Sequence, residues 1–546
     1  MNDNELRKLI REKVFIRASD DVRIARRGPN EYKSAAWLFD FRAIAFDAEV
    51  LDHIAETFWE KYEHSYPFQV GGAESAAIPL VTAIVLKGRD KKKPVKGFFV
   101  RKSRKRDGLL KMFEGTLGDE PVILVDDIIN SGQSLNRQVI ALSEMRKKVK
   151  GIFTILAFRD REAYAFAGNK GIPVASMFTL KDFGMPLLAA ENPEVPKISF
   201  DILWRYAAGH PSLNYVAEKS APIIDAERIY FGTDSAVFTA LSQETGKEAW
   251  TFKAGSHPKG IFSSPALSGG SVFFGAYDGN VYSLDKKTGA LQWQYRDADW
   301  VGSSPSIAPN LGLLFIGLEF GLFKKHGGVV ALDVKTGHRV WEDRTSDLTH
   351  GSPLYVQGES LVVIGSNDGI LYAYDAKTGK RRWSFQTGGG IKSFPAYDPK
   401  RRLILVGSMD GSLYAVHAED GSLKFSHTTH ESIFSTPLVH GDVVYIGSLD
   451  KFIYAIDLDT GLPRWHFQTD GRVFASPVIA EHSLWIGSND GRLYELDIET
   501  GALRSFFQAT ERIVNAIAYS EKTKLLFVPT VANELYCLKR KTLEPA

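Results

Sequence analysis

The chain carries two different patterns of hydrophobic and polar residues, and the change between them falls near residue 220. From there to the end, short apolar or alternating runs recur at regular intervals. One copy, residues 263–296, contains the runs SSPALS, SVFFGA, NVYSLD and LQWQYR, separated by turn formers such as Gly269-Gly270. Short runs between turn residues predict β-strands, four to each repeat.

A marker glycine at the end of the second run of each copy gives the period of the repeat. The glycines are Gly232, Gly275, Gly317, Gly365, Gly407, Gly447 and Gly487, and Pro529 takes the same place in an eighth copy. Consecutive markers are 40 to 48 residues apart. Four-stranded units of this length stack radially as the blades of a β-propeller. Eight copies predict eight blades, with a seven-bladed ring as the alternative. Because the last copy ends without a tryptophan-bearing strand, we expect an earlier segment, such as residues 213–217, to close the ring.

The first 196 residues alternate strand-like runs with helical stretches. The runs are FQVGGAE, KGFFVRK, PVILVDD, IFTILAFRD and PVASMFTL, and the helical stretches include residues 47–63 and 134–148. This order predicts an α/β fold, a parallel sheet flanked by helices. We therefore divide the chain into an α/β domain at 1–196, a linker with a possible closing strand at 197–218, and an all-β propeller at 219–546.

Composition narrows the class of protein. With 44% hydrophobic residues, 24% charged residues and a net charge of +2, the chain is typical of soluble globular proteins and shows no surface devoted to nucleic acid or membrane. The only cysteine, Cys537, excludes an intrachain disulfide and fits a reducing compartment. The first residues carry charges throughout and lack the apolar core of a signal peptide, so we expect a cytoplasmic protein.

The strongest candidate site is the phrase from Val122 to Ser134. A buried strand is predicted over Val122–Val125, followed by Asp126-Asp127 and a turn into a helix. Backbone amides at such a turn bind phosphate, and two adjacent carboxylates can accept hydrogen bonds from neighbouring hydroxyls. The spacing indicates a ribose phosphate site, although an Asp-Asp pair alone also occurs in ordinary turns.

The whole phrase, PVILVDDIINSGQS, resembles the phosphoribosyl-pyrophosphate (PRPP) motif of the type I phosphoribosyltransferases. The resemblance implies that fold for the α/β domain, with PRPP and Mg²⁺ as ligands. It assigns the ribose hydroxyls to Asp126 and Asp127, and it assigns the 5′-phosphate to Asn130, Ser131, Gly132, Gln133 and Ser134.

Four further phrases resemble orotate phosphoribosyltransferase: WLFDFRAI, GGAESAAIPL, FVRKSRKRDG and AFRDREAYA. By this resemblance Arg101, Lys102 and Lys105 gather the leaving pyrophosphate, whose growing negative charge fixed cations and Mg²⁺ stabilise. Amides near Gly72 approach the pyrophosphate, and Arg161 pairs with a carboxylate such as that of orotate. The resemblance also implies a homodimer in which Lys105 reaches the neighbouring site. The basic run could instead be a solvated loop or a nucleic-acid patch, and Arg161 could form a surface salt bridge.

The chain departs from that family at three places. Ala76 stands where a lysine is usual, Asp107-Gly108 followed by two leucines replaces the glycine-rich part of the mobile loop, and residues 26–28 only approximate the phrase that frames orotate. Two functions remain open. One is an enzyme that transfers phosphoribosyl from PRPP to a nitrogenous base, orotate or a related pyrimidine; the other is a non-catalytic sensor of PRPP or a nucleotide that signals through the propeller.

The propeller half carries the phrase Ala-x-Asp-x-x-Thr-Gly-x-x-x-Trp, which resembles the docking motif of pyrroloquinoline-quinone (PQQ) type propellers. Its tryptophans are Trp250, Trp293, Trp341, Trp383 and Trp465, replaced by Phe425 and Ser505 in two copies. A quinone-dependent dehydrogenase would call for a disulfide of neighbouring cysteines, a calcium site and usually export, so a single cysteine argues against PQQ. We expect a rigid surface for a protein, peptide or small-molecule partner.

Overall fold

A computed structural model describes residues 1–17, 37–74, 77–101, 113–168, 170–188, 198–208, 220–255, 257, 259–322 and 325–542. The chain divides into two compact units, Met1–Pro196 and Lys197–Ala546. Of the helices in the described part of the chain, none has the length and apolar character needed to cross a membrane.

The first unit alternates strands and helices. Its strands are β1 Phe15–Arg17, β2 Trp37–Phe39, β3 Gln69–Ala73, β4 Gly97–Val100, β5 Phe113–Gly115, β6 Val122–Ile129, β7 Val149–Ala157 and β8 Val174–Thr179. Its α-helices are α1 Asp3–Leu9, α2 Ala48–Tyr62, α3 Ala77–Asp90, α4 Gln133–Glu144 and α5 Ala165–Gly168. Shorter helical turns are Ile10–Val14, Phe41–Ala43, Glu63–Ser65, Arg161–Ala163 and Leu180–Phe183.

Six of these strands form one sheet in the order β5-β4-β3-β6-β7-β8, with β1 and β2 paired separately. The five predicted strand-like runs become β3, β4, β6, β7 and β8, all parallel, and only β5 is antiparallel. The predicted parallel sheet flanked by helices is therefore confirmed. The central strand β6 begins with a continuous run of buried residues, as expected where helices cover both faces.

The helix boundaries follow local chemistry. Asp47 caps α2, because its side chain accepts hydrogen bonds from the amides of Glu49 and Val50. The helix predicted at 134–148 ends four residues early, at Glu144. The reason is Arg146, whose φ of 57° lies in the left-handed region and stops the helix.

The second unit consists of four-stranded antiparallel blades. Blade 1 comprises Ile223–Ile224, Arg228–Gly232, Val237–Ser242 and Glu248–Lys253; blade 2 Ala266–Ser268, Ser271–Gly275, Asn280–Asp285 and Leu291–Arg296; blade 3 Ser306–Ala308, Leu313–Phe320, His326–Asp333 and Arg339–Thr345; blade 4 Leu354–Val356, Leu361–Gly365, Ile370–Asp375 and Arg381–Gln386. Blade 5 comprises Ala396–Asp398, Leu403–Gly407, Ser412–His417 and Leu423–Thr428; blade 6 Leu438–His440, Val443–Gly447, Phe452–Asp457 and Pro463–Gln468; blade 7 Val478–Ala480, Ser483–Gly487, Arg492–Asp497 and Leu503–Gln508. A short helical turn, Gln357–Glu359, interrupts blade 4.

Blade 8 is completed by a strand from far earlier in the chain. Its strands are Ala518–Ser520, Leu525–Pro529 and Glu534–Thr542, and the last of these pairs with β9, Ile198–Ala207. Counted over the described residues, the propeller thus has eight blades, which confirms eight and excludes seven. The prediction that residues 213–217 close the ring was wrong in position, and those residues lie outside the described part. The strand β9 takes the place because it carries Trp204, which supplies the tryptophan that the last copy lacks.

The tryptophans join neighbouring blades by one repeated contact. Each indole N–H donates to a backbone oxygen near the turn of the next blade at 2.9–3.1 Å, in Trp204, Trp250, Trp293, Trp341, Trp383 and Trp465. The ring lies against the turn glycine: Gly379 has a φ of +72°, and a Cβ there would sit 2.6 Å from the Trp341 ring. The Thr-Gly pair of the repeat is therefore needed both for the turn and for the close approach of the ring.

At two boundaries another residue replaces the tryptophan. Phe425 packs on Gly461 in the same way. Between blades 7 and 8, Ser505 donates a hydrogen bond to the buried Glu495, and the Arg540 Nη2 lies 2.6 Å from the other carboxylate oxygen. An ion pair between the buried Glu495 and the partly exposed Arg540 thus takes the place of the indole contact at that boundary.

Substituting Gly379→Ala tests the ring-on-glycine contact. The added methyl group meets the Trp341 ring and the left-handed backbone, so we expect a loss of at least about 2 kcal/mol in the free energy of unfolding. Urea unfolding followed by tryptophan fluorescence measures it, since eight of the ten tryptophans lie in the second unit. Gly358→Ala is the control, because a Cβ at Gly358 meets no atom within 4 Å. Equal stability of the two variants would contradict the role given to the contact.

Candidate functional site

The two adjacent carboxylates lie at the carboxyl end of the central strand. The strand β6 does not stop at Val125 as predicted but continues to Ile129, which pairs with Ala157 of β7. Alternation along the strand turns Asp126 towards the α4 side and Asp127 towards the α2 and α3 side. Asp126 is only 7% exposed. Both side chains therefore sit at the sheet edge where α/β folds collect ligands.

Asp127 occupies an electrostatically unfavourable place. Burial raises the pKa of its carboxyl, and the nearby Asp40 carboxylate raises it further, whereas hydrogen bonds from the Ile128 amide and Asp126 oppose the shift. Arg42 holds the pKa of Asp40 below its ordinary value through two hydrogen bonds of 2.7 and 2.8 Å. Asp127 also lines a small cavity with Phe41 and Leu80. A ligand hydroxyl would relieve the cost of ionising this carboxyl.

The turn after β6 presents backbone amides at the start of α4. Gly132, at φ +77°, is the residue before the helix, and as a glycine it has no side chain with which to cap the first turn. A Cβ at Gly132 would lie 2.4 Å from the Phe166 ring, so glycine is required by both conformation and packing. Asn130 and Ser134 are exposed. The turn thus has the form that binds a phosphate.

A buried arginine that the sequence did not single out supports this turn. The Arg159 Nε donates to the Asn130 backbone oxygen at 3.0 Å, and its Nη2 donates to the Asn130 Oδ1 at 3.4 Å. The Tyr164 hydroxyl donates to the Ile129 oxygen at 3.1 Å. Arg159 is 6% exposed, whereas Arg161, the predicted base contact, is exposed on a short turn. The signal for Arg159 is its position directly after the apolar run of β7.

Of the residues predicted to bind pyrophosphate, Arg101 and Gly72 lie in the described part of the chain. Arg101 follows β4 and lies 3.5 Å from Glu74 and 3.4 Å from Glu114, so it is ion-paired within the fold. Gly72 lies inside β3, and a Cβ there would be 2.3 Å from Ala77 and 2.5 Å from a backbone oxygen of β6. Glycine is thus needed for α3 to pack against the sheet. Lys102 and Lys105, like Ala76 and residues 26–28, lie outside the described residues.

The described ranges contain no group of three or more His, Cys, Asp or Glu side chains that could hold a metal ion. The carboxylate pair offers part of a ligand set, which suits a metal held mainly by oxygens of a bound substrate.

The first unit is similar in sequence to known orotate phosphoribosyltransferases. An orotate phosphoribosyltransferase of Aquifex aeolicus is 29% identical over 151 residues, which cover 28% of this chain and 82% of that protein. That of Bradyrhizobium sp. strain BTAi1 is 27% identical over 183 residues, covering 33% of this chain and 95% of that protein. For the second unit, the family model described as outer membrane protein assembly factor BamB matches residues 201–367, and that of the β-alanine-activating enzyme β-propeller matches residues 323–544.

The chain joins an orotate phosphoribosyltransferase-like domain to a PQQ-type β-propeller. Solved structures show the same propeller fold: BamB from Moraxella catarrhalis has a TM-score of 0.52 at 18% identity, covering 64% of this chain and all of that chain. A europium-containing methanol dehydrogenase has a TM-score of 0.51 at 14% identity, covering 61% and 85%. At such identities the likeness shows the fold alone.

The phosphoribosyltransferase-like domain allows a matched test of its two neighbouring arginines. Arg159→Met removes the donors that hold Asn130, so we expect faster hydrogen exchange at residues 129–133 and a loss of about 1 to 3 kcal/mol in the domain's stability. Arg161→Met, at an exposed position, should change neither quantity. Hydrogen exchange followed by mass spectrometry measures both, and unchanged exchange in Arg159→Met would refute the support given to the turn.

Proposed function

We propose that the phosphoribosyltransferase-like domain transfers phosphoribosyl from PRPP to a nitrogenous base, orotate or a related pyrimidine, and releases pyrophosphate. The observation that carries this proposal is the Asp126-Asp127 pair, of which Asp126 is buried and Asp127 half-buried, placed a few residues before Gly132 and the start of α4. A carboxylate pair and a phosphate-binding turn at this spacing match one ribose 5-phosphate.

The chain contributes mainly binding and charge to the reaction. Asp126 and Asp127 accept hydrogen bonds from the two ribose hydroxyls, and residues Asn130 to Ser134 bind the 5′-phosphate. Mg²⁺, arriving with PRPP, neutralises charge on the pyrophosphate. Arg101, with Lys102 and Lys105, stabilises the leaving pyrophosphate more than the bound ground state, which is what lowers the barrier.

The proposal also covers the acceptor base, the partners of the chain and its cellular compartment. Arg161 is exposed and pairs with a carboxylate on the acceptor base. The propeller binds a partner, and the domain works as a homodimer in the cytoplasm, where the single buried cysteine, Cys537, stays reduced.

A second function, a non-catalytic sensor of PRPP or a nucleotide, is favoured by one observation. Arg101 is already paired with Glu74 and Glu114. A pyrophosphate would have to displace these glutamates, whereas binding of the ribose 5-phosphate part alone leaves them in place.

A base panel separates the two functions. The full chain is incubated with PRPP, Mg²⁺ and orotate, uracil, or a purine base, and the release of pyrophosphate is assayed. The enzyme is expected to release pyrophosphate with orotate or another pyrimidine. PRPP binding without release for any base would support the sensor instead.

The carboxylate pair is tested by binding. In the double variant with Asp126→Asn and Asp127→Asn, we expect the affinity for PRPP to fall at least about 100-fold, since two charged acceptors are lost. Isothermal titration calorimetry measures it. Arg42→Gln, which changes one exposed charge nearby, is the control and should bind PRPP within a few-fold of the parent. Unaltered PRPP binding by the double variant would sink the assignment.

The raised pKa of Asp127 makes a prediction about pH. A buried carboxyl whose folded pKa is above its unfolded value favours folding at low pH and opposes it once ionised. Asp127→Asn should therefore raise the melting temperature of the domain at pH 7 and lose this advantage below the ordinary carboxyl pKa. Each pKa unit is worth about 1.4 kcal/mol. Calorimetric melting at pH 7 and pH 3.5 measures the difference, and a variant less stable than the parent at pH 7 would contradict the pKa direction.

A further inference from the structure

Neighbouring blades of the propeller meet through a ring-to-ring contact that recurs with nearly constant geometry. A phenylalanine two positions after the tryptophan site, on the fourth strand of one blade, contacts a tyrosine on the third strand of the next blade. The two ring centres lie 5.3–5.5 Å apart at 61–64° in the pairs Phe252–Tyr282, Phe385–Tyr414, Phe467–Tyr494 and Phe507–Tyr536. The edge-to-face orientation is one that aromatic rings prefer, so each pair stabilises a blade boundary.

At the boundary between blades 5 and 6 a histidine stands in the place of this phenylalanine. The His427 ring lies 5.6 Å from the Tyr454 ring at 61°, so the contact keeps the geometry of the other four. Tyr454 is buried and His427 is half-buried. Of the five boundaries in the described part of the chain that have this contact, only this one therefore contains a ring that gains a charge near neutral pH.

The same boundary also lacks the indole contact. Phe425 replaces the tryptophan there and packs on Gly461, but a phenyl ring has no N–H group to donate to the next blade. The boundary therefore depends more on the His427–Tyr454 contact than do boundaries that have both a tryptophan and a phenylalanine.

The carboxylate that acts on His427 is already held by hydrogen bonds. The Asp450 Oδ2 accepts from the Tyr454 hydroxyl at 2.7 Å and from the His430 amide at 3.1 Å. The Asp450 Oδ1 accepts from the Phe452 amide at 2.9 Å. Asp450 thus attracts a protonated His427 from a fixed position, and these two described side chains form no ion pair with each other.

Two further side chains border the contact. Leu413 lies opposite His427 on its own blade and is uncharged, and His466 lies opposite Tyr454 on blade 6 and is exposed. Neither side chain places a negative charge beside the His427 ring, so a proton on that ring is not neutralised by either neighbour.

The position of His427 sets the direction of its response to pH. Burial lowers the pKa of His427, and the Gly461 backbone and the Asp450 carboxylate oppose this shift. For a histidine whose folded pKa is below the unfolded value of about 6.5, the stabilisation is complete above that pH and is lost as the pH falls below it. Mild acid therefore weakens the contact.

A second contact between the same two blades responds to pH differently. Arg401 of blade 5 lies 2.7 Å from Asp442 and 2.6 Å from Asp459 of blade 6. Hydrogen bonds from Lys400 and Arg401 lower the pKa of Asp442 to about 2. Because a lowered carboxyl pKa preserves an ion pair until the pH falls towards that value, Arg401 still joins the blades in mild acid.

We propose that the boundary between blades 5 and 6 is an acid-sensitive junction of the propeller. When His427 gains a proton, its ring leaves Tyr454 for water, and the boundary opens locally while Arg401 holds the two blades together. The ring of eight blades thus changes at one defined place in mild acid. This device lies within the propeller and does not depend on the phosphoribosyltransferase reaction.

Hydrogen exchange of the full chain, followed by mass spectrometry at pH 7.5 and pH 5.5, tests the junction. After correction for the intrinsic effect of pH on amide exchange, we expect protection of Leu423–Thr428 and Phe452–Asp457 to fall at least about fivefold at pH 5.5, since one pKa unit corresponds to tenfold. Leu503–Gln508 and Glu534–Thr542, which meet through a phenylalanine, should change less than about twofold.

His427→Phe installs the residue that the other four boundaries carry. We expect this variant to keep its protection at pH 7.5 and to reduce the pH response of the junction below about twofold, because the ring no longer gains a proton. His440→Phe is the matched control, since His440 is an exposed histidine on the first strand of blade 6, and it should respond like the parent. An equal pH response in the parent and in His427→Phe would overturn the proposal.

Nuclear magnetic resonance of the chain labelled with carbon-13 histidine gives a second readout. The signal that is missing from His427→Phe identifies His427, and we expect its titration midpoint to lie below about 6.5. A midpoint at or above that value would also overturn the proposal. If His427→Phe does not fold, His427→Gln, which has no titrating ring, takes its place in both measurements.

Discussion

Burial of β6 on both faces is the constraint on which the candidate transferase site depends. Because Ile123 and Val125 pack under α2 and α3 while Val122 and Leu124 pack on the α4 side, the strand cannot slide or rotate without exposing one core. Its carboxyl end therefore delivers two charged side chains to a fixed edge. Burial raises the pKa of Asp127, so ionising this carboxyl lowers the stability of the fold. The same burial holds the two carboxyl groups in fixed positions as hydrogen-bond acceptors.

The sequence predicted most of this architecture because its signals were local or periodic. The parallel strands were recognisable as apolar runs, and the blades from the spacing of marker glycines. The early end of α4 depended on one left-handed residue, Arg146, which no periodicity reveals. The closing strand β9 was misplaced because its partner lies more than three hundred residues away, and only tertiary pairing selects it.

For the candidate site, too, contiguous residues were predictable from the sequence and residues joined only by tertiary contacts were not. Asp126, Asp127 and the following turn form a contiguous phrase, so the sequence alone can propose them as a site, whereas Arg159 acts through a contact with Asn130 on a neighbouring strand end.

Closure of the ring by β9 also dictates the order in which the chain can fold. As the polypeptide emerges from the ribosome, Ile198–Ala207 is made before every other strand of the propeller, yet its only pairing partner in blade 8, Glu534–Thr542, is made last. Throughout synthesis of seven blades, β9 lacks the blade 8 strand with which it pairs, although the turn of blade 1 that contacts Trp204 is already made. Removal of Glu534–Thr542 would therefore leave β9 with a free edge and the ring open, even with seven complete blades in place.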